Sequence, residues 1–382
     1  MSDIFGSLAA ASREVQRAAV VRVLRTEQIS RSLLISRLGI SSSLVTRLVR
    51  GLLDDGIIEE VGIATSALGR PPVRLALRAG YGHFVAVSCE GDRLRAGVYD
   101  LQGIEIRLSV IALAGKVLSV SAITNSIDGV EKDAGVSGER LLGVGISVPG
   151  VVDARTGAVS EAPELGWQEP VPLRSLLEDR YKVPVTVDND VNLMVSAERE
   201  QGGAVGVDDV VYLFLGRSGV GAGIVSDGRL VQGGHGAAGE VGPIPLASGH
   251  GEIREGRIES RISATAIAHT LQARDLDATP EPIPALIRWA DAGNEHAGEI
   301  RSDALDTLAH AILVLSAVLD PTVVLLGGAA RDLRDVELKE LTDRLESQMP
   351  APPELAFAHL DSEAVLQSAQ ARCWRRVLAG GI

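Results

Sequence analysis

From Tyr81 onward, short apolar runs that end near glycine alternate with stretches of helical spacing, and few architectures accept that pattern. The runs are HFVAVS, RAGVYD, LLGVGISVP, VPVTVD, DVVYLFLG, GAGIVSDG and TVVLLGG. Helical stretches fall near residues 117–135, 172–181, 190–202, 260–274, 283–292 and 302–319. Strands alternating with helices predict an α/β fold. Two hairpins, at 85–107 and 210–231, open corresponding halves. Their echo predicts two lobes with a cleft between them. The segment DLDATPEPIP (275–284) reads as a linker and PAPP (350–353) as a second break.

Apolar residues make up 46% of the 382, so sizeable cores are expected and disorder throughout is excluded. Cys89 and Cys373, the two cysteines, form neither a disulfide framework nor a zinc pattern. No charged-then-apolar leader opens the chain. The longest apolar run, Ala311–Leu319, is about half of the ~20 residues a membrane helix needs. The expectation is a soluble, cytoplasmic protein with no membrane partner. Net charge is −13, unevenly spread. Residues 1–80 hold eleven Arg, no Lys and seven acids, a net +4 that leaves −17 on the other 302. A basic head on an acidic body points to a polyanion as the head's partner.

That head reads as helix, helix, turn, helix, then a hairpin. VQRAAVVRVLRT predicts a first helix with Val15, Ala18, Ala19, Arg22 and Val23 at helical spacing, apolar members dominating that face. RSLLISRLG predicts a second, ended by Gly39, and ISSSLVTRLVRGLLDDG a third, capped by serine and closed at Gly56. In the third, Leu44, Val45, Leu48, Val49 and Leu52 form the buried stripe, leaving Ser42, Ser43, Thr46, Arg47 and Arg50 on the other side. IIEEV and VRLAL form the hairpin, whose tip carries Gly69-Arg70-Pro71-Pro72. This is the order of a winged helix-turn-helix over residues 1–80. Short hydroxyls at a helix start approach phosphates and base edges closely, and arginines reach phosphate or guanine. The expected partner is operator DNA, contacted by Arg31, Ser42, Ser43, Thr46, Arg47, Arg50 and, from the wing, Arg70. A protein-interaction module with a solvated arginine face is the alternative.

Six motifs follow in one order: GVGISVPGVVDARTG, VPVTVDNDVN, GRSGVGAG, GAAGEVGP, GRIES and VVLLGG. With the winged head, the chain resembles the ROK family (repressors, open reading frames and sugar kinases) from about residue 13 to the C-terminal helix. The resemblance implies a two-lobed, actin-like ATPase (ribonuclease H-like) domain over 81–382 that closes around a sugar. Some members phosphorylate the sugar; others are sugar-responsive regulators.

Departures from the family pattern carry as much information. Kinases of the family read Asp-x-Gly-Gly-Thr in the first hairpin, where this chain has Ser88-Cys89-Glu90-Gly91-Asp92. Two carboxylates would face the triphosphate, with no compensating cation expected beyond Arg93. Like charges about 4 Å apart repel by roughly 4 kcal/mol at an effective dielectric near 20. The second phosphate loop survives as Arg217-Ser218-Gly219-Val220-Gly221, and the later pair as Gly327 and Gly328, though these glycines can equally serve loop shape. The family's zinc ligands are replaced by Pro243, His250, Glu252 and Arg257, and proline and arginine donate nothing to zinc. No metal and no cofactor are therefore expected.

On the sugar side the resemblance implies contacts from Gly150, Asn189, Asp190, Glu240 and Glu259, through acceptors and amides that bind adjacent hydroxyls. Asp190 matches the kinases' general base. The reading is a DNA-binding regulator, a repressor, that senses a sugar or sugar phosphate as a homodimer or tetramer and is not an enzyme. The alternatives are a sugar kinase with an N-terminal extension and a ligand-independent regulator with a decayed pocket.

Overall fold

The computed structural model describes residues 8–63, 73–113, 117–247, 253–279 and 281–381. Two compact units emerge: the chain up to Gly150 with Arg155–Asp188 and the segment from Leu366, and Val151–Ala154 with Asn189–Val365.

The first unit opens with α1 (Arg13–Thr26), β1 (Ile29–Ser30), α2 (Arg31–Leu38), α3 (Ser42–Asp54), β2 (Ile58–Ile63) and β3 (Val73–Leu77). The strands pair antiparallel in the order β1-β3-β2. Gly39, at φ +61, ends α2 in the left-handed region and turns the chain, so α3 leaves at 118° to α2. That is helix-turn-helix geometry, with a sheet in the wing position. The buried face of α1 is Gln16, Val20, Val21 and Leu24, while Val15 is 52% exposed. The predicted stripe is therefore corrected by part of a turn. Gln16 can be buried because its amide donates to the Leu8 and Ala9 carbonyls.

Next come β4 (His83–Cys89), β5 (Arg93–Asp100), β6 (Glu105–Ala112), α4 (Val120–Ala134), β7 (Leu141–Val148), β8 (Val151–Val152), β9 (Val159–Ser160), α5 (Leu173–Tyr181) and β10 (Val185–Asn189). The five-stranded sheet has the order β10-β7-β4-β5-β6. A buried pair, His83 Nε2 to Glu131 Oε1 at 2.6 Å, fastens the start of β4 to α4.

The second unit carries α6 (Asp190–Gln201), β11 (Val210–Leu215), β12 (Val220–Ser226), β13 (Arg229–Leu230), β14 (Pro245–Ala247) and β15 (Ile253–Arg257). Then follow α7 (Glu259–Ile262), α8 (Ala264–Gln272), α9 (Pro282–Asp291), α10 (Glu295–Leu319), β16 (Val323–Gly328), α11 (Asp335–Glu346) and β17 (Glu354–Phe357). The last helix, α12 (Glu363–Gly380), begins in this unit and continues into the first. The second sheet, β13-β12-β11-β16-β17, repeats the first: an antiparallel three-strand meander, then a parallel strand beside the meander's first. This duplication is the echo that the two hairpins announce. The segment 275–284 is not a linker: Leu276 and Ala278 are buried and α9 starts at Pro282, where proline is tolerated in a first helical turn. The apolar helix α10, long enough by composition to cross a membrane, packs Leu305, Leu308, Ile312 and Leu315 into this unit's core.

Helix α12 lies against β7 with little room to spare. A Cβ at Gly145 would come within 2.3 Å of the Ala369 carbonyl, and one at Gly143 within 2.6 Å of Cys373 Sγ. Beside it one hydrophobic core runs from Val20 and Leu24 through Leu52, Phe84 and Leu101 to Trp374 and Leu378. Burial pushes the Cys373 thiol up to about 12 and the Cys89 thiol higher, the latter also through the neighbouring Glu90 carboxylate. Thiolate is the reactive form, so a thiol-titrating disulfide reagent at about pH 8 should modify neither cysteine in the native protein and both after unfolding.

Candidate functional site

In the head, α3 presents the expected face. Ser41 caps the helix, its hydroxyl accepting from the Leu44 N–H at 3.3 Å, which leaves Ser42 and Ser43 as the first two helical residues. Ser42, Ser43, Thr46, Arg47 and Arg50 are all exposed, while Leu44, Val45, Leu48, Val49 and Leu52 are buried. Thr46 Oγ1 donates back to the Ser42 carbonyl at 2.8 Å, and Arg50 is 4.0 Å from Asp54 at the helix end. Arg31 opens α2 and bonds Glu60 of β2 at 2.8 Å, so it braces the head as well as facing outward. Arg70 lies outside the described residues.

In the second unit, β12 is the frame for the candidate sugar residues. Asn189 caps α6: its Oδ1 accepts from the N–H groups of Val191 (2.9 Å) and Asn192 (3.1 Å), which orients the Asn189-Asp190 corner. The first turn of α6 rests on the glycines of β12, where a Cβ at Gly223 would meet the Val191 carbonyl at 2.6 Å. The loop bearing Glu240 is fastened to β12's edge. Ala222 N–H donates to Gly239 C=O at 2.8 Å and Gly242 N–H to Val220 C=O at 3.0 Å. Glu259 N–H donates to Gly242 C=O at 3.1 Å, and Glu259 Oε2 occupies the space a Gly242 Cβ would need. Asn189, Asp190 and Glu259 are half-buried and Glu240 is exposed. The elements that carry these four residues are thus anchored along one strand segment, Val220–Gly223. Gly150 belongs to the other unit, at φ +100 where a Cβ would strike the Glu161 carbonyl.

The hairpin turn at Glu90-Gly91-Asp92 is closed by Glu90 N–H donating to the Arg93 carbonyl at 2.9 Å. Arg93 Nε bonds Glu90 Oε2, and the buried Arg95 places Nη1 3.9 Å from Glu90 Oε1. Arg95 is a cation the sequence reading misses. It shares a strand face with Arg93 and pairs with Ser88 across the ladder, so the two-residue period of β5 is the signal that could have found it. Gly327 and Gly328 have a packing explanation: Cβ atoms there would strike Tyr212 and the Leu215 carbonyl. Pro243 and Arg257 are exposed, and His250 and Glu252 lie outside the described residues.

Residues 89–371 match the ROK family. The chain belongs to the ROK family. It is 30% identical over 234 residues to the xylose repressor of Caldicellulosiruptor bescii, a match spanning 60% of this chain and 58% of that repressor. It is 23% identical over 322 residues to the DNA-binding transcriptional repressor Mlc of Escherichia coli, covering 80% and 79% of the two chains. It is also 30% identical over 289 residues to the glucokinase of Halalkalibacterium halodurans, covering 67% and 86%. The crystal structure of a ROK family transcriptional regulator, a homologue of E. coli Mlc, superposes with a TM-score of 0.77 at 22% identity over 96% of each chain. The ROK hexokinase from Thermus thermophilus superposes at 0.63 with 27% identity, over 78% of this chain and all of that one. Both likenesses fit the two-lobed, actin-like fold of this ROK protein, and the first extends over the winged head.

The frame on β12 leaves one residue no alternative. Gly239 sits at φ +90 and its Cβ would fall on the Ala222 carbonyl oxygen. Gly239→Ala should cost about 1–3 kcal/mol and lower the urea midpoint. Gly219→Ala, with nothing within 4 Å of a Cβ, should leave it unchanged.

Proposed function

We propose that this ROK protein is a sugar-responsive transcriptional repressor without kinase activity. The observation that carries the reading is the exposed serine, threonine and arginine face of α3 on a helix-turn-helix. Ser42 and Ser43 at the helix start suit close approach to the DNA backbone, and Arg47 and Arg50 suit contact with phosphates or guanine. Relatives named as repressors over most of the chain's length support it. One winged helix reads a short half-site, so the active form is a homodimer or a tetramer on operator DNA.

The effector we propose is a sugar or sugar phosphate, bound by Asn189, Asp190, Glu240 and Glu259. The three carboxylates supply acceptors, and the Asn189 amide, its oxygen committed to the helix cap, supplies NH2 donors for sugar hydroxyls. Binding to one conformation of the protein shifts DNA affinity by the difference in affinity between conformations.

A glucokinase relative makes phosphoryl transfer the second reading. The residues of the first hairpin do not fit a nucleotide. Glu90 stands at a glycine position of the kinase motif and is engaged by Arg93 and Arg95, and Asp92 adds a second carboxylate. A coupled ADP-release assay over a hexose panel, with Asp190→Asn as control, should give no turnover, and Asp190-dependent turnover would establish the kinase instead.

The principal test is a gel shift at fixed salt with fragments upstream of the protein's own gene. Wild type should bind, and Arg47→Ala should weaken binding by about ten-fold or more, the range of one lost arginine contact. Equal binding by the variant would exclude α3 as the reading element.

A further inference from the structure

Arg25, on the head's first helix, lies in a cradle built from three parts of the first unit. Its Cζ stacks 4.3 Å from the centre of the Trp374 ring, and its Nη2 donates to Gln370 Oε1 at 2.7 Å. Its Nε donates to the Gln102 carbonyl at 3.3 Å. The turn between β5 and β6 completes the cradle: a Cβ at Gly103, at φ +88, would approach Arg25 Nη2 to 2.7 Å. The same turn ties down both neighbours. Trp374 Nε1–H donates to the Leu101 carbonyl at 3.1 Å, and the Gln102 amide donates to the Leu77 carbonyl at the end of β3 at 2.9 Å. Gln370 and Trp374 are 1% and 2% exposed.

Between those two residues on α12 sits Arg372, whose Nε is 2.8 Å from Asp188 Oδ2, with Asp188 itself 1% exposed. Asp188 directly precedes Asn189 and Asp190 in the chain. One helix therefore grips the strand end that leads into the candidate sugar residues and, within a turn, the helix that carries the DNA head.

We propose that α12 couples these two points. Arg25 and Trp374 are positioning residues that set the head on the first lobe, and Arg372 links their placement to Asp188. The proposal rests on the regulator reading and names how its effector site and its DNA head communicate. A helix transmits small displacements because its backbone hydrogen bonds keep residues 370, 372 and 374 in fixed relation. Stacking and charge-assisted bonds in a half-buried cradle are directional, so a shift of α12 re-aims α1 rather than merely loosening it.

Residues that do not touch can be tested for coupling by a double-mutant cycle. DNA affinity is measured by fluorescence anisotropy, on an upstream duplex at fixed salt, for wild type, Arg25→Met, Arg372→Gln and the double variant. Arg25→Lys is a conservative control, and thermal melts check folding. Arg25→Met and Arg372→Gln should each weaken binding several-fold, and the double variant should be no weaker than Arg25→Met alone. That departs from additivity by about three-fold or more, within the range of coupled sites. Arg25→Lys should recover part of the loss with its melting point unchanged. Multiplicative losses in the double variant, or no loss in Arg372→Gln, would overturn the coupling while leaving DNA binding intact. Should Arg25→Met fail to fold, Arg25→Lys takes its place in the cycle. Wild type that binds no duplex would remove the regulator reading, and the coupling with it.

Discussion

The close approach of α12 to β7 governs the first unit. Two glycines, Gly143 and Gly145, let the helix backbone settle almost onto the strand, and no side chain larger than hydrogen fits there. That approach brings Cys373, Trp374, Val377 and Leu378 into a core that also contains the inward faces of α1, α2 and α3. Burying a tryptophan of this kind contributes on the order of 2–3 kcal/mol, against ~0–1 kcal/mol for an exposed ion pair such as Arg31–Glu60. Packing sets the head's orientation, and the ion pairs of its surface refine it.

A comparable constraint orders the second unit. Glycines of β12 admit the first turn of α6, while the edge of the same strand holds the Gly239–Gly242 loop through backbone bonds. Asn189 spends its carbonyl oxygen on capping the helix, so the corner it forms with Asp190 is rigid before any ligand arrives. The glycines thus matter to the site through the backbone approaches they permit.

Much of this was legible in the sequence, and the parts that were not have physical reasons. The hydroxyl and arginine face of α3 followed from helical spacing, because its apolar stripe is uninterrupted. The stripe of α1 did not, because a buried glutamine satisfied by two backbone carbonyls looks like a surface residue in one dimension. The doubled sheet order was visible only as two hairpins, since β6 and β17 are edge strands with little burial to mark them. The segment 275–284 resembled a linker by composition, yet Leu276 and Ala278 anchor it in the core. Arg25, Arg95 and Arg372 were invisible as functional residues because their partners are 345, 5 and 184 positions away, and only Arg95's is near enough for strand alternation to suggest it.

In the first hairpin an acid, Glu90, stands where kinases of the family carry a glycine. An acid in place of a glycine would be costly if it stood alone among carboxylates, by several kcal/mol at 4 Å. Here Glu90 lies between Arg93 and Arg95, and its own N–H is committed to the turn. A phosphate-binding loop works by holding N–H donors and cations toward solvent for an anion to collect. In this hairpin the Glu90 carboxylate engages the nearby arginines, and the Glu90 N–H is taken by the turn. Replacing Glu90 alone would therefore not recreate a kinase loop: the turn would still lack the first aspartate, at Ser88, and would still carry Asp92. The departure from the kinase motif at this hairpin is therefore spread over three residues, Ser88, Glu90 and Asp92, rather than confined to one.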